Sequence, residues 1–322
     1  MTHALRFQVI ILPNAPWDEV RHRFKQVEDL GFDLVTTADH FVDWTNPSLP
    51  WLEAWTVLAA VARETTRIRL ATYVSQIPLR HPAMLARQAL TVDHISRGRV
   101  EVGLGTGLSI DPAYDMIGIP NWEPRERVAR FREYVDIVDR LLSHETSTYE
   151  GHYYRVKDAV MNPRPLQRPR PPIVIAALSP VMLKHAARHA DNWNSLSFAD
   201  TFEKQLAETA ERIARIDDAC VALGRDPSSL RRSYLMFDPA SRAAGGRIAY
   251  YESEDRFVDM VGRITALGIS EVGLYFPSVA AQRPMFERIA RDILPTMKLQ
   301  DSPADGPLRP ATVRGAPPRD SG

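Results

Sequence analysis

An acid and an imidazole stand side by side in the segment DLVTTADHFVDW, which covers residues 33–44. The first half of the segment is typical of a short buried strand, and Asp39 and His40 follow that strand directly. A histidine titrates near neutral pH and can exchange a proton with a bound molecule, and the indole of Trp44 can exclude water beside it. We therefore predict a catalytic site that contains His40 and Trp44.

The other histidine patterns indicate different roles. Asp93-His94 repeats the same dipeptide late in the helical pattern LARQALTVDHIS, and we predict that this pair is structural. His185 and His189 have the spacing of a zinc pair on one helix face, but an HExxH motif would need glutamate where Ala186 stands. We therefore predict no metal site.

Three glycines mark the end of a predicted strand in GRVEVGLGTGLSIDP. Without side chains, Gly103, Gly105 and Gly107 would let a planar ring approach the backbone closely. A dinucleotide-binding fingerprint is the competing interpretation, but the spacing is GxGxG and Pro112 follows where a helix should open. We therefore predict that this strand end binds a ring.

The segment VIAALSPVMLKHAARHADNW predicts a strand, a short turn and a helix. Ser179 precedes the helix and Pro180 takes its first position, which together form a favourable helix N-terminus. The free N–H groups of such a terminus suit a phosphate. An ordinary capped helix without a ligand remains the alternative.

The elements that must position these residues alternate between buried strands and amphipathic helices. Strands are predicted near residues 6–12, 33–37, 67–75, 99–105, 172–177, 191–196, 232–237 and 271–276. Helices are predicted near residues 17–30, 53–64, 82–95, 124–142, 180–189, 201–223, 254–267 and 282–296. Eight such units predict an α/β fold of the (β/α)8 TIM-barrel class, whose functional residues come from the C-terminal strand ends and the loops that follow.

Two insertions and a tail interrupt this alternation. A β-hairpin is predicted around Glu150-Gly151, followed by a proline-rich run, and we expect it to cover part of the barrel mouth. The segment FDPASRAAGGRIAYYESED is long enough to form a substrate lid. Residues 1–298 are predicted to form one domain, and residues 299–322 a disordered, proline-rich tail.

The composition is that of a globular protein, with 322 residues, 44% hydrophobic and 25% charged. Forty basic and forty acidic residues cancel, so no strong field favours nucleic acid or a membrane surface as a partner. No segment predicts a membrane span or a secretion signal. Cys220 is the only cysteine, which fits a reducing cytoplasm.

Five segments in register resemble the luciferase-like monooxygenase superfamily, and within it the branch that uses the deazaflavin coenzyme F-420 (F420). The resemblance covers roughly residues 5–297. The segments, in chain order, are LGFDLVTTADHF, TTRIRLATYV, HPAMLARQALTVDHISRGRVEVGLGTG, NPRPLQRPRPPIVIAA and LKHAARHADNW.

The resemblance implies specific roles at the barrel mouth. Asp39 and His40 would lie beside the isoalloxazine ring, with His40 as the acid/base, and Trp44 would line the same pocket. Tyr73-Val74 would form a non-proline cis peptide in a bulge behind the ring. Further contacts are implied at the ring edge for Gln76, Thr106 and Gly107, and at a phosphate-binding turn for Ala177, Leu178 and Ser179.

The sequence departs from that family at two places. Ala177-Leu178 stands where family members often have glycines, which weakens the phosphate assignment. Leu108 stands where the deazaflavin sugar-phosphate dehydrogenases carry a catalytic glutamate, which argues against sugar-phosphate oxidation by their mechanism. With Trp51 and Ile110 nearby, the pocket is predicted to be apolar.

We therefore predict an oxidoreductase that transfers a hydride between F420 and an unidentified organic substrate. The first alternative is a luciferase-like monooxygenase that uses reduced FMN, O2 and a partner flavin reductase. A non-catalytic flavin-binding barrel and a metal-dependent lyase or hydrolase are further alternatives. The expected partners are a small-molecule substrate, a flavin or deazaflavin reductase and a second copy of the chain in a homodimer.

Overall fold

Eight parallel strands close into a barrel in the computed structural model, which describes residues 3–237 and 249–301. The barrel strands are β1 Arg6–Ile11, β2 Leu34–Thr37, β3 Arg69–Thr72, β5 Val100–Gly105, β8 Ile173–Ala176, β9 Asn192–Ser195, β10 Arg231–Leu235 and β11 Glu271–Tyr275. They pair in this order, and β11 pairs with β1 to close the circle. The predicted (β/α)8 barrel is therefore confirmed.

Helices surround the barrel. They are α1 Trp17–Asp29, α2 Ala54–Glu64, α3 Pro82–Ser96, α4 Ala113–Ile117, α5 Pro124–Ser143, α6 Pro180–His189, α7 Phe202–Ala222, α8 Glu254–Ala266, α9 Arg283–Arg288 and α10 Leu294–Asp301. All eight predicted helices are present, but the last is divided by a π-turn at Ile289–Ile293. The short helix α4 was not predicted from the sequence. A five-residue helix is too short for its periodicity to be read.

Local sequence explains where several helices end. Gly31 and Gly268 lie at junctions between helix and strand and adopt φ angles of 85° and 87°. Such positive φ angles are strained for residues with a side chain but open to glycine.

The core has two parts. The larger lies between the strands and the surrounding helices, and a smaller one fills the barrel interior. Five half-buried apolar residues pack on the interior part, and we call them the mouth layer: Leu12, Trp51, Val74, Leu196 and Tyr275. Each of the five lies at the C-terminal end of a barrel strand or in the loop that follows it. This layer is therefore the apolar surface of the barrel mouth.

The predicted hairpin is present as β6 Thr146–Glu150 and β7 Arg155–Val160. It packs against α3 and α5 on the outer wall. The Glu133 side chain of α5 accepts hydrogen bonds from the backbone of the hairpin turn, including His152 N at 2.9 Å. Arg87 of α3 donates to the carbonyl oxygen of Val160 at the far end. The prediction that the hairpin covers part of the mouth stays a prediction.

Two other predicted segments fall outside the described ranges. Residues 238–248, the greater part of the predicted lid, are one of them, and residues 302–322 of the predicted tail are the other. The helix α10 continues through Asp301, past the predicted end of the domain. Over the described residues, no helix combines the length and apolar character that crossing a membrane would require.

Candidate active site

Polar side chains from three neighbouring strands meet at the C-terminal mouth of the barrel. Asp39 and His40 follow β2, and Gln76 belongs to the short strand β4 Ser75–Gln76, which continues the line of β3 beside β5. Asp111 comes from the loop after β5. The C-terminal ends of barrel strands are where such folds hold their active sites, so these residues form the candidate site.

A histidine–carboxylate pair is the centre of this site. His40 Nδ1 lies 2.6 Å from Asp111 Oδ2, and the Asp111 side chain is almost completely buried. The other Asp111 oxygen accepts a hydrogen bond from Ala113 N at 2.9 Å. Burial acts to raise the pKa of Asp111, but the hydrogen bonds from His40, Ala113 and Gln76 outweigh it and hold that pKa below its ordinary value. Asp111 is therefore the charged acceptor for His40.

Gln76 fixes the geometry of the pair. Its Nε2 donates to the carbonyl oxygen of Asp39 at 2.9 Å and to Asp111 Oδ2 at 3.1 Å. The same nitrogen lies 2.8 Å from His40 Nδ1. Because the amide and a protonated Nδ1 are both donors, this last distance is a contact and not a hydrogen bond when Asp111 accepts from Nδ1. Nε2 is then the imidazole nitrogen left to exchange a proton with a substrate.

The Asp39 side chain has a different partner. Both of its oxygens accept from Arg80, one of them at 2.9 Å. Arg80 also reaches Glu53 at 3.3 Å. Burial acts to lower the pKa of Arg80, but Asp39 outweighs it and raises that pKa. The role of Asp39 in cofactor binding stays a prediction. Its contacts with Arg80 hold the C-terminal end of β2 in position.

The indole that packs against His40 is Trp51. Its ring lies edge-on to the imidazole with 5.9 Å between centroids, and its Nε1 donates to the carbonyl oxygen of His40 at 2.8 Å. Trp44 is half-buried in the same loop. The loop is shaped by Asp43, whose side chain accepts from the backbone of Thr45 and Asn46. The catalytic role of Trp44 stays a prediction.

The strand β3 ends in a bulge at Tyr73-Val74, where the peptide bond is cis, as the resemblance implied. The Tyr73 side chain points into the barrel, and its hydroxyl donates to Glu271 at 2.6 Å. A side chain at Gly103 would collide with the carbonyl oxygen of Thr72, and one at Gly105 with Val74. These two glycines make room for the bulge, and the interpretation that their missing side chains admit a ring stays a prediction.

Gly107 and Thr106 are enclosed by protein groups as well. Gly107 has a φ of 80°, and a side chain there would meet Gln76 Oε1 at 2.7 Å and the Tyr114 hydroxyl at 2.8 Å. The buried Arg127 donates to the carbonyl oxygen of Thr106 at 3.0 Å and to Tyr114 at 2.8 Å. Arg127 therefore holds the turn that carries Thr106 and Gly107 in place.

The predicted phosphate turn follows β8. Ala177 is buried and continues the pairing with β9, since its N–H donates to the carbonyl oxygen of Asn194. Its own carbonyl oxygen accepts from the indole Nε1 of Trp193 at 2.9 Å. Leu178 is half-buried and Ser179 is exposed at the N-terminus of α6, where its hydroxyl accepts from Met182 N at 3.4 Å. The N-cap is confirmed, and phosphate binding stays a prediction.

Of the two histidine patterns away from the mouth, Asp93-His94 has the structural role expected for it. Asp93 accepts from the backbone of Leu166 and from the side chain of Gln167, and His94 Nε2 contacts the carbonyl oxygen of Arg164 at 2.8 Å. This pair is structural. No group of metal-ligating side chains occurs among the residues that the structure describes.

Sequence reasoning did not assign roles to Asp111, Arg80 or Arg127. The first two join residues far apart in the chain, since Asp111 is 71 positions from His40 and Arg80 is 41 from Asp39. One local signal was available: Asp111 precedes Pro112 directly before a short helix, a position at which an acid commonly caps the backbone.

The architecture, a barrel with a histidine–carboxylate pair at its C-terminal mouth, is that of a barrel enzyme. A family model described as luciferase-like monooxygenase matches residues 3–244. The chain therefore belongs to the luciferase-like monooxygenase family.

Curated relatives agree with this assignment, and solved structures agree with the fold. An F420-dependent glucose-6-phosphate dehydrogenase of Intrasporangium calvum is 32% identical over 246 residues, which are 71% of this chain and 72% of the relative. The enzyme of the same name from Kineococcus radiotolerans is 32% identical over 68% of each chain. An F420-dependent secondary alcohol dehydrogenase, solved with an F420–acetone adduct, superposes with a TM-score of 0.74 at 17% identity over 89% of this chain and 99% of that one. A monooxygenase from Streptomyces bottropensis gives 0.69 at 24% identity, over 91% of this chain and all of the other.

Proposed function

We propose that this protein is an F420-dependent oxidoreductase that transfers a hydride between the deazaflavin and an organic substrate at the barrel mouth. The observation that supports this proposal most directly is the His40–Asp111 pair. Gln76 fixes the pair, which leaves one imidazole nitrogen for proton exchange. The curated relatives named above are F420-dependent dehydrogenases, and they support the cofactor and the reaction class. The names of these relatives do not identify the substrate of this protein.

The residues at the mouth fit a flat, ring-shaped cofactor. The mouth layer presents half-buried apolar side chains, including Trp51 and Tyr275, that a ring face would cover. The polar side chains of His40, Gln76 and Thr106 lie at the edge of the mouth layer. We propose that these residues hold the ring and that the exposed N-terminus of α6 at Ser179 holds a phosphate of the cofactor. When bound, the deazaflavin accepts or supplies the hydride.

The protein supplies orientation and proton transfer. Asp111 accepts from Nδ1–H and so keeps the imidazole in one tautomer and one orientation. In the oxidation of an alcohol, His40 Nε2 takes the hydroxyl proton as the carbon loses its hydride, and in the reverse direction it returns that proton to the oxygen. Trp51 and the rest of the mouth layer exclude water from the reacting atoms.

Leu108 bears on the substrate. It stands where the sugar-phosphate dehydrogenases of the resemblance carry a glutamate, and the carboxylate that contacts the imidazole here is Asp111 instead. We propose that the proton chemistry is organised around Asp111 and that glucose 6-phosphate is not the substrate. The test is reduction of F420 by glucose 6-phosphate in the presence of this protein, and turnover comparable to that of the relatives would contradict the proposal.

A parallel titration of the purified protein with F420 and with FMN, followed by cofactor fluorescence, tests the cofactor. We expect tighter binding of F420. Tighter binding of FMN, together with O2 consumption when reduced FMN is supplied, would instead support the monooxygenase alternative. Binding of either cofactor without turnover of any substrate in a panel of alcohols and ketones would favour the non-catalytic alternative.

His40→Ala tests the catalytic assignment. General acid–base catalysis typically contributes about 10²–10⁴-fold, so we expect kcat to fall by that factor while F420 still binds. Unchanged turnover would show that another group moves the proton.

We propose a homodimer in the cytoplasm, with a single domain over residues 1–298. The resemblance supports the dimer and the domain, and the single Cys220 is compatible with a reducing compartment. A flavin or deazaflavin reductase is the partner we propose for recycling the cofactor. Light scattering on the purified protein measures the oligomeric state, and a monomer would contradict the first proposal.

A further inference from the structure

A groove of about 550 Å³ lies on the outer wall of the barrel between α5, α6 and the C-terminal end of α7. Arg132 of α5 and Lys184 and Arg188 of α6 line it. Within the described ranges, these three cationic side chains have no hydrogen bond or salt bridge. Neighbouring arginines on the same wall are paired, as Arg170 is with Asp139 and Asp191. The groove therefore concentrates unpaired positive charge.

Two imidazoles lie among these cations. The rings of His185 and His189 stack with 6.5 Å between centroids, and His189 Nδ1 is 3.7 Å from Asp136 Oδ1. His189 Nε2 is buried and has no hydrogen-bond partner among the described residues. This nitrogen is closed off from solvent, so the groove meets the half-buried ring edges of the two imidazoles and not the nitrogen itself.

Burial, more than the neighbouring charges, sets the ionisation of these histidines. Burial lowers the pKa of His189 to about 4, against the opposing charge of Asp139 and with the help of Arg188 and Arg170. Burial also lowers the pKa of His185, and so do His189, Arg132 and Arg188, while Asp136 opposes them. The residues that α7 contributes to the groove are uncharged. Both imidazoles are therefore neutral at pH 7.

The charge and shape of the groove define its ligand. Three cations against the single carboxylate of Asp136 leave a net charge of 3 − 1 = +2. Ala219, Ala222 and Leu223 form an apolar side, and Leu223 is partly exposed. A phosphate monoester carries about two negative charges at neutral pH and three acceptor oxygens, and arginine binds such groups in a bidentate manner.

We propose that this groove binds a phosphate monoester, with the phosphate between Arg132, Lys184 and Arg188 and the organic group against the apolar side. The site is separate from the active site. His189 is the last residue of α6, whose N-terminus faces the mouth, and ten helical residues span about 15 Å. The ligand would therefore be an additional molecule and not the substrate.

The test is a titration of the full-length protein with inorganic phosphate at constant ionic strength and pH 7, followed by NMR of the histidine ring protons. His185→Gln and His189→Gln identify the two signals by their loss. We expect saturable shifts confined to these two histidines and a rise in the pKa of His185 as phosphate binds. Each arginine should contribute about tenfold to affinity, so Arg132→Gln with Arg188→Gln should weaken binding about a hundredfold.

The matched control is Arg125→Gln, which removes an exposed charge from α5 outside the groove. We expect unchanged affinity in this variant. Equal weakening in the control, or shifts that do not saturate, would show general charge screening and overturn the proposal. If the double variant does not fold, the exposed Lys184→Gln supplies the same comparison with a smaller, several-fold loss.

Phenyl phosphate tests the apolar side of the groove. We expect it to bind at least about fivefold more tightly than inorganic phosphate, because its ring would cover Ala219, Ala222 and Leu223. Equal affinity would overturn the assignment of a monoester. A gain that disappears in Ala222→Glu would support it.

Discussion

At the scale of single residues, the carboxylate that contacts His40 belongs to Asp111. Asp111 reaches Nδ1 from a position three residues beyond Leu108, and Gln76 donates to the same oxygen. A buried charged acceptor costs free energy unless it is fully hydrogen-bonded. The three hydrogen bonds to Asp111 meet that requirement, so the acid can stay ionised beside the imidazole.

Asp111→Asn keeps the size of this side chain and removes its charge. A charge-assisted hydrogen bond contributes about 1.5–3 kcal/mol, so we predict that kcat falls roughly 10- to 100-fold while the Kd for F420 stays within about twofold. Steady-state kinetics and a fluorescence titration measure the two quantities. Asp115→Asn, an exposed position in α4, is the control and should leave both unchanged. A proportional loss of cofactor affinity would mean that Asp111 shapes the pocket and does not orient His40.

At the scale of elements, the fit between β3 and β5 depends on the absence of side chains. Gly103 faces the backbone of Thr72, and Gly105 faces the side chain of Val74. A second substitution can shorten a neighbouring side chain, whereas no substitution removes a backbone carbonyl. The two glycines therefore differ in whether a second substitution can compensate for a methyl group.

We predict that Gly105→Ala lowers the free energy of unfolding by about 1–3 kcal/mol, as overpacking does. Val74→Ala should recover about 1 kcal/mol of this loss in the double variant. Gly103→Ala should be more destabilising and should not be recovered by Val74→Ala. Chemical denaturation of the single and double variants measures these differences. Additive effects for Gly105 and Val74 would show that the strand moves as a whole.

The barrel elements were predictable because their pattern repeats. Each parallel strand is buried on both faces and each helix on one, so the period of apolar residues changes at every junction. Gly31 and Gly268 mark two of these junctions with positive φ angles. The five-residue α4 and the π-turn in the last helix are too short to show a period of apolar residues. Neither could be predicted from the sequence.

The candidate site was only partly predictable. Asp39 and His40 could be placed at the mouth because they follow a strand end, and Gln76 could be placed there through the resemblance. Asp111 and Arg80 act through contacts with residues far away in the chain, and no local pattern encodes such contacts. The three glycines could be recognised, but their contacts with Thr72, Val74 and Gln76 could not, because a single sequence does not show which neighbouring strand occupies the space beside a glycine.

At the scale of the whole molecule, a buried ionic network closes the base of the barrel, opposite the mouth. Arg6 donates to both oxygens of Glu101, at 2.8 and 2.9 Å, and Arg69 donates to the same carboxylate at 2.6 Å. Arg6 also pairs with Glu271, which accepts from Tyr73 below the β3 bulge. The network thus connects β1, β3, β5 and β11. Through Tyr73 it also links the base of the barrel to the β3 bulge at the mouth.

The stability of this network should depend on pH through Glu101. Burial acts to raise the pKa of Glu101, but the charges of Arg6 and Arg69 outweigh it and lower that pKa to about 2. Because the pKa is lower in the folded state than in the unfolded state, the stabilisation is complete above the ordinary glutamate pKa, near about 4.3, and is lost as the pH falls toward 2.

Glu101→Gln tests this dependence. The variant leaves Arg6 and Arg69 without their shared carboxylate, so we predict a loss of about 3–5 kcal/mol in the free energy of unfolding at pH 7. At pH 3.5 the unfolded wild-type chain already binds a proton at Glu101, so the difference between wild type and variant should shrink by roughly 1 kcal/mol. Urea denaturation at both pH values measures it. Glu126→Gln, which breaks a partly exposed pair with Arg130, should change stability by less than about 0.5 kcal/mol at either pH. A difference for Glu101→Gln that is the same at both pH values would mean that the glutamate acts through packing, and that the charge of the network does not hold the base of the barrel together.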